Sequence, residues 1–444
     1  MKSALALYVQ FCVVCSVCLG QWSAPALVWH DTTGMSEARL ICTPADTLWA
    51  AVMDRGSNGS FGWYRIQTAW SMGDSWSGLT DATGQDSAVG WYSGMGFGCD
   101  PQDRLWLGWY RGNAYTFQGE DSWAVCTAKR DDAGWHPFEK SIDSFWSSGA
   151  ESFAADRQGN WYLSVVACAL DAPGIIESAM YSRLDGDSWM FPRGIAAGMG
   201  TPISSGHYSM VLVPHPDSGL WEVNDWSAYR EKPRVYVHRV LPDTTFEMLY
   251  MPGEASTATA DSSGSLFVVY VRDSALRAAR VTGNAVTDSW VIADAPRFIS
   301  VCTDPLGWVW TLWMSRDNRA YVSYNRGAGW STPEQVCDSL AQPHEITSDS
   351  RGRVYVLASV RLQGEWALYS TYRLLRPGIE ESGEQRAGSS RRAASIGRCL
   401  PVGAVAFDAT GRRVVNPRSG ILFLRQASSV RRDASSVTKV VITR

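Results

Sequence analysis

Polar and titratable side chains recur a few residues before each of seven similar short runs in this chain. Arginine, histidine and tyrosine at such positions can hydrogen-bond a ligand, and carboxylates beside them can transfer protons. If the segments that carry them converge, they form the mouth of one site. The candidate mouth residues are Arg39, Tyr92, Glu151, His207, Tyr208, Glu254, Arg297, His344 and Glu345. A structural alternative stays open, in which these side chains are solvated and bind nothing.

Each of the seven runs ends in an aromatic residue six residues after its first residue, five of them begin with an aspartate, and five have a glycine three or four residues after the start. Successive closing aromatics are 43 to 59 residues apart. The chain also has 22 Trp and 40 Gly among 444 residues. A period of this length in strand-favouring sequence is typical of propeller blades. The runs are 43–49, 100–106, 156–162, 215–221, 261–267, 304–310 and 349–355.

The aspartates of these runs are predicted to be structural turn residues. An Asp side chain accepts hydrogen bonds from backbone amides two or three residues further on, and Gly adopts the left-handed conformation that such a turn needs. The hydrophobic residues that follow then form a strand between neighbouring blades. The predicted turn residues are Asp100, Asp156, Asp261, Asp304 and Asp349.

These elements predict an all-β fold, with a seven-bladed β-propeller over residues 21–378. The seventh repeat lacks an outer strand of its own, whereas WSAPALV from Trp22 matches WSTPEQV from Trp330 in the sixth repeat. We therefore expect residues 22–29 to complete blade seven and close the ring. The run HPDSGLW at 215–221 is the weakest match, and a six-bladed ring would follow if it were an insertion.

The segment SYNRGAGW, residues 323–330, resembles the Asp box, which is the S-x-D-x-G-x-T-W turn of sialidase-like propellers. Here Asn325 replaces the Asp and Gly329 replaces the Thr. The resemblance implies an alternative function as a sialidase-like exo-glycosidase. Such a site needs three arginines on the substrate carboxylate, a tyrosine activated by a glutamate, and an aspartate as acid or base.

Candidates for these enzymatic roles exist, but their spacing does not show that they converge. The early Arg-Ile-Pro sequence of the sialidase family is absent, because Leu and Ile follow Arg39. The candidates are Arg39, Arg297 and a loop arginine for the carboxylate, and Tyr92 or Tyr208 with Glu151 or Glu254 for the nucleophile.

Both ends of the chain differ from the repeats. Residues 1–20, with one Lys before an apolar stretch, are predicted to be a signal peptide. Residues 379–397 are a polar linker. Residues 398–444 resemble the C-terminal sorting domain of type IX secretion substrates, a small β-sandwich. The matching positions are Asp408, Gly411, Arg412, Gly420, Phe423, Arg425 and Lys439.

Several classes of site have no support in the sequence. Nucleophile-elbow, zinc-protease, phosphate-loop and EF-hand motifs are absent, so we expect no cofactor and no metal. Seven Cys remain beyond the signal peptide, and those in repeat positions are expected to be small buried side chains. Most Trp are expected to pack between blades. Trp91, Trp109 and Trp226 are the expected exposed exceptions.

The predicted signal peptide and the resemblance to type IX sorting domains imply a bacterial protein that is secreted or displayed at the cell surface. Its partners would be an extracellular glycan or protein ligand and, through the C-terminal domain, the secretion machinery. We expect no nucleic-acid partner, because the basic residues near the C-terminus lack interleaved aromatics, and we expect a monomer. Binding of carbohydrate or protein is the main functional prediction, and glycoside hydrolysis is the alternative.

Overall fold

The computed structural model describes most of residues 22–374 and the backbone of four later strands. Every regular element in these parts is a β-strand. The side chains of Trp91, Glu151 and Trp226 are outside the described set. The described residues are 22–31, 34–58, 61–72, 75–84, 91–99, 103–112, 123–137, 139–143, 146–169, 176–186, 188–190, 193–194, 210–226, 233–242, 244–294, 296–337, 341–362, 365–374, 405–407, 413–414, 420–426 and 436–442.

The strands before residue 375 form seven antiparallel sheets, each of which is one blade. Blade 1 consists of β2 (Gly34–Cys42), β3 (Leu48–Asn58), β4 (Phe61–Ser71) and β5 (Thr80–Asp81). Blade 2 consists of β6 (Trp91–Cys99), β7 (Leu105–Gly112), β8 (Trp123–Asp131), β9 (Gly134–Trp135) and β10 (Glu139–Asp143). Blade 3 consists of β11 (Trp146–Ala155), β12 (Trp161–Ala169), β13 (Ile176–Asp185), β14 (Ser188–Trp189) and β15 (Arg193–Gly194). Blade 4 consists of β16 (Met210–Pro214), β17 (Leu220–Trp226), β18 (Arg234–Leu241) and β19 (Thr244–Pro252), and blade 5 consists of β20 (Glu254–Ala260), β21 (Leu266–Arg272), β22 (Ala275–Thr282) and β23 (Ala285–Asp294). Blade 6 consists of β24 (Arg297–Thr303), β25 (Val309–Met314), β26 (Ala320–Asn325) and β27 (Glu334–Cys337). Blade 7 consists of β28 (Gln342–Ser348), β29 (Arg353–Leu362) and β30 (Glu365–Leu374), together with β1 (Ala26–Asp31).

The first strand of each blade contacts the first strands of the two neighbouring blades, and β28 of blade 7 contacts β2 of blade 1. The ring is therefore closed, and the chain forms a seven-bladed β-propeller. The weakest repeat, at 215–221, is a genuine blade, because its run joins β16 to β17 in a regular four-stranded sheet.

The strand β1 completes blade 7, as predicted. It pairs antiparallel with β30, with Ala26 opposite Ser370 and Asp31 opposite Trp366. Trp22 forms a bridge with Arg373, which matches the bridge between Trp330 and Asn325 in blade 6. The similarity of the two WS-x-P-x-x-V segments thus reflects the same place in two blades.

Hydrophobic packing lies between blades rather than inside any one of them. Each pair of adjacent blades encloses its own cluster of buried side chains, including the pair formed by blades 7 and 1. A strand with a blade on either side buries both of its faces, so it needs a continuous apolar run. The strand β25, VWTLWM, is buried along its whole length.

The tryptophans in register, Trp49, Trp106 and Trp310, are all buried and pack between blades. Trp109 was expected to be exposed, and this expectation is wrong. Its ring is completely buried in the cluster shared by blades 1 and 2, because β7 is buried on both faces.

The repeated aspartate organises the turn between the first and second strands of a blade. Oδ1 of Asp304 accepts hydrogen bonds from the amides of Leu306 and Trp308, at 2.8 and 3.0 Å. These amides lie two and four residues on, whereas the sequence prediction was two or three. Gly307, with a φ of 79°, donates its N–H to the carbonyl of Asp304.

The spacing of six residues between the aspartate and the aromatic also has a chemical basis. Oδ2 of Asp304 accepts a 2.8 Å hydrogen bond from Nε1 of Trp310. Hydroxyl groups of Tyr162 and Tyr355 make the same contact with Asp156 and Asp349. The aspartate therefore joins the turn to the buried ring that follows it.

Two blades replace the aspartate with another acceptor. In blade 4, Nδ1 of His215 accepts a 3.0 Å hydrogen bond from the amide of Asp217. In blade 1, Oγ1 of Thr43 accepts a 3.3 Å hydrogen bond from the amide of Thr47. Asp100 lies outside the described residues.

The turns of neighbouring blades interlock on the face that carries them, which we call the turn face. The second residue of the run in one blade contacts the fourth residue of the run in the following blade. Ser350 in blade 7 hydrogen-bonds through its amide and hydroxyl to Asp46 in blade 1, at 2.8 and 2.6 Å. At Gly307, a Cβ would lie 2.5 Å from Oγ of Ser262, so glycine is needed for space as well as for its backbone conformation.

Replacing this glycine separates the two requirements. We expect Gly307→Ala to lower the free energy of unfolding by about 2–4 kcal/mol, since left-handed strain and overpacking both contribute. Gly283→Ala is the matched control, because Gly283 has a φ of 60° but open space at its Cβ; it should cost only about 1–2 kcal/mol. Urea unfolding measures both. Adding Ser262→Ala should recover part of the loss at Gly307 and none at Gly283.

Among the described residues, the cysteines at repeat positions are free thiols, as expected. Cys42 and Cys99 occupy equivalent places at the ends of β2 and β6 and are half-buried. Burial, with nearby carboxylates, raises the pKa of Cys42 to about 12. A thiol with this pKa is protonated at neutral pH and is a poor nucleophile.

The chain divides into two units, residues 1–376 and 377–444. In the second unit, β31 (Val405–Phe407), β32 (Arg413–Val414), β33 (Gly420–Gln426) and β34 (Ser436–Ile442) form one antiparallel sheet in the order β32, β31, β33, β34. The predicted signal peptide, the predicted linker and the motif residues Asp408, Gly411 and Arg412 lie outside the described residues. The sorting-domain assignment therefore stays a prediction.

Candidate functional site

A central channel runs between the seven innermost strands and encloses a cavity of about 270 Å³. Every blade contributes to its wall. The residues that line it include Arg39, Phe97, Ser152, Val211, Thr257, Ser300 and Glu345. Hydroxyl groups, an arginine and a carboxylate thus face one small space, as in a site for a polar ligand.

Three of these residues form a polar chain across blades 6, 7 and 1. Oγ of Ser300 donates a 2.5 Å hydrogen bond to Oε1 of Glu345. The other carboxylate oxygen of Glu345 lies 3.7 Å from Nη1 of Arg39. Ser300 also accepts a 3.2 Å hydrogen bond from the amide of Ile346, so its hydroxyl is held in place by the next blade.

The guanidinium of Arg39 is fixed by groups other than Glu345. Its Nη2 lies 2.7 Å from Oε1 of Glu37, and its Nε donates a 2.7 Å hydrogen bond to the carbonyl of Met95 in blade 2. Oε2 of Glu37 accepts a 2.9 Å hydrogen bond from the amide of Met95. Arg39 is therefore a preorganised donor whose charge is already compensated.

Glu345 is enclosed by the channel wall although 24% of its side chain is accessible from the cavity. This burial raises the pKa of Glu345, and the positive charge of Arg39 opposes the shift only in part. A carboxyl group in such surroundings takes up a proton more readily than an ordinary glutamate and can then act as a donor.

His344 is the third predicted residue in the channel wall. Its Nε2 lies 2.7 Å from Oγ of Ser359. Burial lowers the pKa of His344 to about 3, with a smaller contribution from Arg39. The imidazole is therefore neutral at physiological pH and takes part in hydrogen bonds, not in charge interactions.

The low pKa of His344 makes the propeller sensitive to acid. The unfolded chain protonates this histidine near pH 6.5, and the folded chain protonates it only near pH 3. The free energy of unfolding therefore has its full value above pH 6.5 and falls as the pH is lowered from 6.5 toward 3. We expect a loss of about 2 kcal/mol between pH 7 and pH 5 from this group. His344→Gln should remove that part of the pH dependence. Urea unfolding at pH 7, 6 and 5 tests this, and equal slopes for both proteins would contradict it.

The other predicted mouth residues divide into three groups. Glu254 and Arg297 begin β20 and β24 and are exposed at the rim. Tyr92 was predicted to lie at the mouth, and this prediction is wrong. Only 3% of Tyr92 is exposed, and its ring packs against Tyr64 and Trp109 at centroid distances of 5.4 and 5.8 Å. His207, Tyr208 and the side chain of Glu151 lie outside the described residues.

The arrangement expected of a sialidase-like enzyme is not assembled in the described part of the channel. Arg39 is the one arginine in its wall there. Arg297 is exposed at the start of β24 and is not among the residues that line the cavity. Arg65, an arginine that the sequence analysis did not select, pairs at 2.7 Å with the buried carboxylate of Asp54. With Tyr92 buried between blades, the described residues place no tyrosine beside a carboxylate in the cavity.

A second polar cluster, missed in the sequence, is buried in blade 4. Oε2 of Glu222 lies 2.9 Å from Nδ1 of His238, and both carboxylate oxygens accept hydrogen bonds from Nδ2 of Asn224, at 2.9 and 3.0 Å. Glu222 and His238 are fully buried. Glu222 shares a strand face with Leu220, which packs against Tyr162 of blade 3, so the cluster lies between blades 3 and 4.

No group of three or more potential metal ligands occurs among the residues that the structure describes. No helix in that part of the chain is long and apolar enough to cross a membrane.

Several solved structures are similar to parts of this chain at low sequence identity. No protein-family model and no curated protein matches the chain. Similar solved structures include the Hadza microbial sialidase, at 13% identity and a TM-score of 0.47, with 77% of this chain and 66% of that chain covered. The Dos1 propeller is 10% identical, with a TM-score of 0.43 and 78% and 95% covered.

A mutant of the Aleuria aurantia lectin in complex with Fucα1-6GlcNAc is also similar. It is 12% identical, with a TM-score of 0.42, and the match covers 69% of this chain and 99% of that chain. This chain thus spans slightly under two thirds of the sialidase. Identities of this size do not transfer a ligand or an activity.

Proposed function

We propose that this protein is a binding propeller that takes the end of a carbohydrate chain into its central channel. The observation that carries the proposal is the polar chain of Ser300, Glu345 and Arg39, which converges from three blades on one cavity. Hydroxyl-rich ligands need donors and acceptors at fixed positions. The channel supplies both, because Arg39 donates and Glu345 accepts.

The size of the cavity favours the end of a glycan over a folded protein surface. At about 270 Å³ it lies near the lower end of the range for small-molecule sites. The remainder of the wall carries further hydroxyl groups, on Ser152, Ser256 and Thr257. A protein partner would bind across a face of the propeller and would not need this interior polarity.

A glycan array with the purified chain tests the proposal. Wild type should bind a subset of glycans, and Arg39→Gln should weaken that binding at least tenfold, since it removes a donor that other residues hold in place. Arg157→Gln is the matched control, because Arg157 is exposed on the turn face. Thermal melts show that both variants are folded. Absence of binding to any glycan, or equal loss in both variants, would contradict carbohydrate binding in the channel.

Glycoside hydrolysis is a second candidate because of Glu345 alone. Its raised pKa is the property that a general acid needs. A panel of fluorogenic glycosides tests this candidate. Hydrolysis by wild type that Glu345→Gln lowers at least a hundredfold would favour an enzyme, whereas binding without turnover favours a lectin-like role.

Export to the cell surface or medium is part of the same proposal. The predicted signal peptide at residues 1–20 and the resemblance of residues 398–444 to a sorting domain support it. In a bacterium with type IX secretion, we expect the full chain to reach the surface or the medium and a chain lacking 398–444 to stay in the periplasm. Equal distribution of the two chains would contradict a sorting role.

A further inference from the structure

The charged groups at the polar chain of the central channel do not balance. Glu37 and Glu345 are two carboxylates, and Arg39 is the one cation that contacts them in the described part of the chain. His344, next to Glu345, adds no charge because its imidazole is neutral at physiological pH. With one positive and two negative charges, this part of the wall has a net charge of −1 when both carboxyl groups are ionised.

The two carboxylates differ in how fully their oxygens are used. Glu37 uses both, since Oε1 lies 2.7 Å from Nη2 of Arg39 and Oε2 accepts a 2.9 Å hydrogen bond from the amide of Met95. Oε1 of Glu345 accepts a 2.5 Å hydrogen bond from Ser300. Its Oε2, however, lies 3.7 Å from Nη1 of Arg39, which is longer than the roughly 2.7–2.9 Å of a charge-assisted hydrogen bond. Oε2 of Glu345 is therefore the atom with capacity to accept from a ligand.

The surroundings of Glu345 disfavour its negative charge in the free protein. Burial is the main cause that raises the pKa of Glu345, and the charge of Glu37 adds to it, against the opposing effects of Arg39 and Ser300. A carboxylate in such a place gains more from a new cation than one in open water, because it has lost its solvation. A positive group on the ligand would thus stabilise the ionised form of Glu345.

The rest of the cavity wall suits a sugar ring around that positive group. Ser152 and Thr257 line the same cavity as Glu345 and bring hydroxyl groups to it. Oγ of Ser152 accepts a 3.1 Å hydrogen bond from the amide of Leu212 in the next blade, which fixes its position. Phe97 adds an aromatic ring to the wall. Aromatic faces favour both the C–H face of a sugar and a nearby cation.

We propose that the central channel binds a terminal amino sugar whose amine is free and positively charged. The ammonium donates a charge-assisted hydrogen bond to Oε2 of Glu345, and it balances the charges of two carboxylates and one guanidinium. This proposal rests on the binding function proposed above and specifies its ligand class. A sugar carboxylate would instead meet a wall with a net negative charge and an arginine that Glu37 already engages.

A glycan array that carries each amino sugar both with a free amine and in N-acetylated form tests the ligand class with the full chain at pH 7. The N-acetylated form is the matched control, because it keeps the sugar ring and removes the charge. Wild type should bind the free-amine form at least tenfold more tightly, since a hydrogen bond to a charged group is lost on acetylation. Glycans that end in a uronic acid should bind more weakly than either form. Calorimetric titration with β-1,4-linked trimers of glucosamine and of N-acetylglucosamine measures the ratio in solution.

Two variants separate a contact at Glu345 from a general attraction by the charge of the protein. Glu345→Gln keeps the shape and one acceptor oxygen but removes the charge, so it should lower the preference for the free amine to less than about twofold. Asp294→Asn is the matched control, because it removes one carboxylate from an exposed position at the end of β23. It should keep the full preference. Thermal melts show whether both variants are folded, and the two forms of the ligand decide on wild type alone if Glu345→Gln is not.

Three results would overturn the amino-sugar proposal: equal affinity of wild type for the free-amine and N-acetylated forms, a preference that folded Glu345→Gln retains, or an equal loss of preference in Asp294→Asn. Each is distinct from failure of the binding function itself, which is judged by the absence of any bound glycan and by Arg39→Gln. A protein that binds only neutral or acidic glycans, and loses that binding in Arg39→Gln, has the channel site but a different ligand class.

Discussion

Deletion of residues 22–31 is expected to unfold the propeller and not merely to shorten it. The deleted segment contains β1, which covers the outer edge of blade 7, and Val28 and Trp29 belong to the cluster that joins blades 7 and 1. Their loss should remove on the order of 10 kcal/mol, which is comparable to the whole stability of a typical domain. Circular dichroism melts should show no cooperative transition for the truncated chain.

A deletion at the other end is the control for this experiment. A chain that stops at Arg376 keeps the whole first unit and should melt like the full propeller. The point variant Trp29→Ala tests the same joint more gently. Trp29 is only 2% exposed, so we expect a loss of about 3–5 kcal/mol. A cooperative, native-like melt of the chain that lacks 22–31 would show that ring closure does not need β1.

Glu222→Leu is expected to be the most damaging single substitution in blade 4. The carboxylate is the shared partner of His238 and Asn224, and all three residues are buried. Leucine would leave two buried donors without an acceptor, so the loss should reach about 3–5 kcal/mol. Denaturant unfolding of the purified variant measures this directly.

A combined variant shows whether the loss of stability in Glu222→Leu comes from unpaired donors or from packing at position 222. Glu222→Leu together with Asn224→Leu and His238→Leu removes every polar member, and apolar replacement of a whole buried cluster is often close to neutral. We therefore expect the triple variant to be more stable than the single one. If the triple variant loses as much as the three single losses together, unpaired donors are not the cause, and packing explains the effect.

The sequence predicted the architecture because its signals are local and repeated. The Asp-to-aromatic distance of six residues corresponds to a real contact, as between Asp304 and Trp310. The likeness of two segments containing Trp22 and Trp330 correctly placed β1. His215 replaces the aspartate in the weakest run. Its Nδ1 accepts a hydrogen bond from the amide two residues further on, as Oδ1 of the aspartate does in other blades.

Contacts between blades were beyond sequence reasoning. Arg39, Ser300 and Glu345 meet only because blades 6, 7 and 1 are neighbours in the closed ring, and Ser300 gave no signal of its own. Tyr92 was selected for its distance from the turn, but alternation along a bulged strand directs it into the packing between blades 1 and 2.

The blade 4 cluster did leave a signal that could be used elsewhere. The second strand of a blade is buried on both faces, so its residues are expected to be apolar on both. In LWEVNDW, residues 220–226, three polar residues interrupt such a strand. Polar residues at these positions must find partners across the sheet, and His238 stands directly opposite Glu222.

The pairing of Trp22 with Arg373 makes this propeller a natural subject for circular permutation. In blade 6 the corresponding bridge, between Asn325 and Trp330, is spanned by four residues on the turn face. A linker of similar length between residues 374 and 22 would restore in blade 7 the hairpin that its sister blade has. New ends could then be opened in any exposed connection, and the channel mouth could be displayed from a different point of attachment.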